Sequence, residues 1–199
     1  MYQKMQKMKQ LRKQGGFTMV ELMVIVVVLL ILGGVGYSAF NGAGDRARTS
    51  SIMQGMKEQS SALERYRSDT GCFPKKLSSL FDKAKNTTTD TYCGLDVTAK
   101  WQDPYTNVAQ LDATDGVKTD NFAPGAVMTI GQDTTSVAGQ TIYYVDVNGL
   151  PGDLVKRVVA ECNSTDKSAA LPTDLASTTC MGAVAASGSG NVRMAFYRE

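Results

Sequence analysis

Gly16-Phe17-Thr18-Met19-Val20-Glu21, followed by the apolar run from Leu22 to Leu32, sets out how this chain is organised. The run continues through Gly33, Gly34, Val35, Gly36, Tyr37, Ala39 and Phe40, and the 23 residues between Glu21 and Asp45 carry no charge. As a helix they extend about 35 Å, enough for a hydrocarbon core of roughly 30 Å. Upstream, residues 1–16 hold Lys4, Lys7, Lys9, Arg12 and Lys13 with no acid. A basic flank of this kind holds its end in the cytoplasm and directs the downstream chain outward. Glu21 is the residue that a plain signal or anchor does not explain. A carboxylate forced to the bilayer centre costs about 2.5 to 3.5 kcal/mol, and ionisable groups in such places usually have a partner.

The rest of the composition narrows the function. The chain has 199 residues, 43% apolar and 20% charged, which suits one globular domain with an attachment and excludes a collagen-like or largely disordered protein. Its net charge of +2 comes from the leader: without residues 1–16, 16 basic groups face 19 acidic ones, a balance of −3. Bulk electrostatic attraction to nucleic acid is therefore not expected of the body. His is absent, which removes Ser-His-Asp, Cys-His and His-metal chemistry. Carboxylates such as Asp103 or Asp146 are the remaining acid catalysts for a signal-anchored enzyme, and nothing in the sequence pairs two of them.

The small residue, aromatic residue and acid set before an apolar helix resemble the class III signal of type IV pilins and pilin-like proteins. That resemblance implies cleavage by a prepilin peptidase between Gly16 and Phe17, and N-methylation of Phe17 by the same enzyme. It also implies that Glu21 faces the Phe17 ammonium of a neighbouring subunit during assembly. A carboxylate in a dry helical bundle is tolerable when an opposite charge meets it. A secretory signal cleaved near Gly36-Tyr37-Ser38 or Gly42-Ala43-Gly44, and a permanent anchor, are the competing readings. Gly33, Gly34 and Gly36 read either as small residues for close helix packing or as a point of local melting.

From Asp45 to about Asp69 the pattern becomes amphipathic, with Ile52, Met56, Leu63 and Tyr66 at helical spacing and Thr70-Gly71 as the stop. The apolar helix is expected to run on into this one as a spine of about 50 residues. A short helix is expected over Lys76 to Lys85, strands over Ala126 to Ile130, Thr141 to Val147 and Asn191 to Tyr197, and a helix from Pro151-Gly152-Asp153 through Cys162. A long helix laid on an antiparallel sheet gives an α+β fold, the roll that the pilin resemblance also implies. The expected division is a leader over 1–16 that is removed, a transmembrane or filament-core helix over 17–44, and a globular head over 45–199.

Cys72, Cys93, Cys162 and Cys180 all lie on the exported side, where disulfides persist. Four Cys allow three connectivities, of which local pairing, Cys72 with Cys93 and Cys162 with Cys180, closes two modest loops and is preferred. The second pair resembles the C-terminal disulfide loop of pilins. Asp112, Asp115 and Asp120 around Gly116 are weak calcium candidates, and their spacing is not that of an EF-hand. Asn86-Thr87-Thr88 and Asn163-Ser164-Thr165 fit the N-glycosylation pattern but read as ordinary polar loops. Lys75, Lys76, Lys83 and Lys85 form a modest basic segment, read as a solvated helix face that is open to DNA. Ser187-Gly188-Ser189-Gly190 reads as a turn before the last strand.

Two stretches resemble different branches of the family. Val145-Asp146-Val147-Asn148-Gly149-Leu150-Pro151 before a helix resembles type IVb conjugative pilins. Trp101-Gln102-Asp103-Pro104-Tyr105, with Phe17 first in the mature chain, resembles type IVa pilins and type II secretion pseudopilins. The expected function is that of a structural subunit, not an enzyme, with no cofactor. It polymerises with copies of itself into a type IV pilus (a fimbrium) for adhesion, motility, DNA uptake or conjugation. The resemblance implies an inner-membrane precursor handled by the peptidase and an assembly platform, then an extracellular filament that touches DNA or a host surface. A type II secretion pseudopilin is the alternative.

Overall fold

The computed structural model describes residues 18–199, with 33–43 as backbone alone. The leader 1–16 and Phe17, and with them the Gly16–Phe17 junction, lie outside the described residues. The chain forms two compact units that divide between Ala43 and Gly44. Helix α1 (Met19–Thr70) supplies the described part of the first unit and opens the second. Its span includes Gly33, Gly34 and Gly36. In the first unit the large apolar side chains from Met19 to Leu32 are exposed all round, from 45% to 91%. Among the described residues no helix is long and apolar enough to cross a membrane. The described side chains of the uncharged run stop at Leu32, and the run itself goes on to Gly44.

In the second unit, α1 buries Ile52, Met56, Leu63 and Tyr66 completely, the stripe expected from their spacing. The helix ends where Gly71 takes a positive φ of 84° and its N–H donates to the Arg67 carbonyl at 2.7 Å. The sheet has five antiparallel strands in the order β1-β2-β3-β5-β4: β1 (Val117–Lys118), β2 (Val127–Asp133), β3 (Ile142–Pro151), β4 (Cys180–Val184) and β5 (Ser189–Arg198). Between β3 and β4, helix α2 (Gly152–Asn163) buries Leu154, Val155, Val158 and Val159. One apolar cluster joins the α1 stripe to Met128, Val145, Val147, Val192 and the α2 face. This is the α+β arrangement read from the sequence. The two-residue edge β1 and the other edge, β4, carry too little periodicity to be seen there.

Two irregularities re-aim side chains. Register shifts between Asn148 and Leu150, where Gly149 has a φ of 84°, so Leu150 is wholly buried after two exposed residues. A second shift leaves Phe196 unpaired between Tyr197 and Ala195. Consecutive strand residues ordinarily point to opposite faces, yet both Phe196 and Tyr197 reach Phe73, at centroid distances of 5.4 and 5.2 Å.

The helix expected over Lys76 to Lys85 is instead two 3-10 turns, Leu77–Leu80 and Lys83–Lys85. The cause is Asn86. Its side-chain amide donates to the carbonyls of Ser79, Asp82 and Lys83 at 3.2, 2.9 and 3.2 Å, satisfying backbone acceptors that a continuous helix would keep for itself. Its Oδ1 accepts the Tyr66 hydroxyl at 2.5 Å, and its backbone carbonyl accepts the Val97 N–H at 3.0 Å. Asn86 is therefore a buried hub and not a surface loop residue, which leaves its amide no room for a glycan. Asn163 also differs from the loop reading. Its amide brackets the backbone of Cys180, donating to the carbonyl at 2.7 Å and accepting the N–H at 3.0 Å.

Disulfides join Cys72 to Cys93 and Cys162 to Cys180. The second, with the Asn163 bracket, fixes edge strand β4 to the end of α2. Arg198 then grips the intervening loop through the carbonyls of Leu175, Ala176 and Thr178, at 2.8, 3.2 and 3.1 Å. Replacing Asn86 with Leu keeps the volume but takes a donor from three carbonyls, of which those of Ser79 and Asp82 retain Trp101 Nε1 and the Lys85 N–H, and strands the Tyr66 hydroxyl. Asn86→Leu is expected to lower unfolding stability by about 2–4 kcal/mol, measured by urea denaturation with the disulfides intact.

Candidate functional site

The most unusual chemistry of the sequence sits at the start of α1. Thr18 precedes the first helical residue, Met19, and Glu21 is the third residue of α1. The Glu21 N–H donates to Thr18 Oγ1 at 3.2 Å, while Glu21 Oε2 accepts from the Thr18 N–H and hydroxyl, each at 3.4 Å. This is a capping box: two backbone donors that the helix cannot satisfy internally are met reciprocally by two side chains. The carboxylate also lies at the positive end of the helix dipole. Reading Glu21 as an assembly charge leaves Thr18 without a role, although the Thr-x-x-Glu spacing is itself a readable signal.

The other sequence-derived candidates occupy structural positions. Asp115, at φ 63°, accepts from Lys76 Nζ at 2.8 Å and Lys85 Nζ at 2.5 Å. Those two ammonium groups hold its carboxyl below the usual range. Asp112 accepts the N–H groups of Thr114 and Gly116, and Asp120 that of Gly125. The three carboxylates thus serve separate turns and an ion-pair cluster. Among the described residues no group of three or more His, Cys, Asp or Glu is gathered for a metal ion. The same cluster takes two of the four lysines out of the basic segment, and Lys75 donates to the Thr89 carbonyl at 3.1 Å.

Asp146 faces Asn191 at 3.0 Å and Arg193 at 3.2 Å, an arrangement that ties β3 to β5. Asp103 is exposed on its loop. The neighbouring motif closes on α1. Trp101 Nε1 donates to the Ser79 carbonyl at 3.0 Å, and the Tyr105 ring meets those of Trp101 and Tyr66 edge-on. Burial, reinforced by Tyr105 and Asp90, pushes the Tyr66 phenol well up, which keeps it a neutral donor to Asn86.

Thr18→Ala removes one half of the capping box and is expected to cost about 1 kcal/mol at the helix start. Amide exchange at Met19 to Leu22 in micelles should accelerate roughly fivefold, with the head unchanged. At the β2–β3 connection, the Ser136 hydroxyl, then Thr135 and the Ser136 N–H, hold the Asp133 carboxyl down to about 2. A lowered carboxyl stabilises above its unfolded value, near 4, and loses that contribution as pH falls through about 2. Carboxyl-detected NMR should show Asp133 titrating near that value, and Ser136→Ala should move it upward.

A family model described as the prokaryotic N-terminal methylation motif matches residues 11–37, the stretch that contains this helix start. The type II secretion system core protein G of Pseudomonas aeruginosa is 30% identical over 109 residues, covering 50% of this chain and 77% of that protein. The protein of the same name from Vibrio cholerae is 33% identical over 82 residues, 40% of this chain and 56% of its own length. No solved structure matches significantly. With the capped apolar helix, the α+β head and these relatives together, the chain belongs to the type IV pilin-like family that includes the type II secretion core protein G.

Proposed function

We propose that this pilin-like subunit is made with a leader over 1–16, is cut by a prepilin peptidase between Gly16 and Phe17, and is N-methylated at Phe17. It then polymerises with copies of itself into a helical filament. The observation that carries this reading is the apolar surface of α1: every large apolar side chain described from Met19 to Leu32 is at least 45% exposed. Such a surface is stable only in lipid or against other apolar helices. The precursor therefore sits in the inner membrane through the segment 17–44, uncharged from Leu22 to Gly44, and the filament replaces lipid with neighbouring helices. In that dry bundle Glu21 pairs with the Phe17 ammonium of an adjacent subunit. A contact between two different surface patches does not close on itself, so it propagates as a fibre.

The role is mechanical and needs no catalytic group or cofactor; the lack of His and the structural engagement of Asp146 support that reading. The filament is read as a surface pilus that passes from an inner-membrane assembly platform to the cell exterior, where the heads contact DNA or a host surface. One specific observation favours a second reading, a short periplasmic pseudopilus: both named relatives are core protein G of type II secretion systems. Intact mass separates the two. A species starting at Phe17 with one added methyl group, abundant in filaments sheared from cells, is the outcome expected of a pilus subunit. The same species confined to the envelope fits the pseudopilus. A chain that keeps Met1 to Gly16, or begins near Ala39, overturns the processing scheme. Glu21→Val should leave the mass of the processed chain otherwise intact and abolish filaments.

A further inference from the structure

A cleft of about 340 Å³ lies between α1 and the strand pair β1–β2. Ser51, Gln54 and Glu58 form one rim on α1, Lys118 and Asn121 the other, and Phe122 and Met128 lie on its apolar side. Gln59 and Thr119 are among its lining residues, and each carries a buried oxygen with no partner in the protein, Oε1 and Oγ1. Thr119 is only 6% exposed. Its backbone is fully used, the N–H donating to the Ala126 carbonyl and the carbonyl accepting the Phe122 N–H, each at 2.8 Å. The hydroxyl therefore remains after the needs of the fold are met, and buried polar atoms of this kind are usually answered by something.

The lining restricts what that something is. Glu58 and Lys118 bring opposite charges, and Glu58 already accepts from Gln54 Nε2 at 2.8 Å, so the cleft has no net preference for an ion. A glutamine oxygen only accepts, whereas a threonine hydroxyl both donates and accepts. A hydroxyl group satisfies both, and adjacent hydroxyls on a ring satisfy them together while the C–H face of that ring meets the apolar side. The volume lies at the lower end of the roughly 300–1,000 Å³ typical of small-molecule sites. We propose that this cleft is a binding site for a neutral polyhydroxyl ligand, one sugar ring, held by Gln59 and Thr119. This activity goes beyond the structural role and does not depend on whether the filament is a pilus or a pseudopilus.

The test is an amide-shift NMR titration of the full chain in phosphocholine micelles, which carry no sugar. The probes are glucose, galactose and N-acetylglucosamine, each beside its methyl glycoside, up to about 10 mM, enough to saturate a site with a Kd near 1 mM. At least one probe should shift amides confined to Ser51–Gln59 and Val117–Met128. Thr119→Val, which keeps the shape and removes the hydroxyl, should weaken that binding at least about tenfold with the rest of the spectrum preserved. Gln59→Met should do the same independently. Binding that survives methylation of the anomeric oxygen identifies the terminal sugar of a glycan as the ligand, and binding lost on methylation identifies the free sugar. No localised shift with any probe, equal binding by both variants, or shifts produced by acetate or ammonium instead would overturn the proposal.

Discussion

A helix in the second unit must hide an apolar face from water on one side only, and the head is arranged around that requirement. Ile52, Met56, Leu63 and Tyr66 form a continuous buried line on α1, and strands β2, β3 and β5 and helix α2 supply the other side of the same cluster. Burial of this kind is non-directional, so by itself it would accept many registers. Direction comes from the polar groups. Tyr66 ends the line with a hydroxyl that must be matched in a dry place, and Asn86 is what it finds. Because the same amide answers three carbonyls of the adjoining segment, one side chain couples the helix to the least regular part of the head.

That segment shows what was and was not legible. Periodicity exposed the long helix, the three longer strands and α2, because each repeats its apolar residues over several turns or pleats. Leu77 and Leu80 carry an equally helical spacing and mislead, since two buried residues three apart fit a 3-10 turn as well as an α-helix. Asn86 decides between them, and its sequence neighbourhood suggests only a polar loop. Edge strands β1 and β4 are invisible for a different reason. Two and five residues, without a full alternation, are defined by partners such as Met128 and Met194 and by the Cys162–Cys180 bond. The acidic residues near Gly116 read as a charged loop, and the partners of Asp115 are not legible beside them, because Lys76 and Lys85 are distant in sequence and near in space.

Glu21 stands apart from these cases, since its importance is readable and its immediate partner is not. The pilin resemblance implies a charge waiting for a neighbouring subunit. The structure gives it work within its own helix, where Thr18 and the helix dipole meet the carboxylate. The two roles are compatible because they come one after the other. In the proposed precursor the Gly16–Phe17 peptide bond leaves no ammonium near the helix start, and the capping box is the available local compensation. In the proposed scheme cleavage would convert the amide of Phe17 into a protonated amine one residue before Thr18, so that processing would supply a countercharge as well as remove a leader. A neighbouring helix that later offers the same amine then competes with hydrogen bonds at 3.4 Å, which are long and weak, and not with a short charged pair. A carboxylate loosely satisfied at home is protected while the subunit waits in lipid, yet it gives up little when the filament forms.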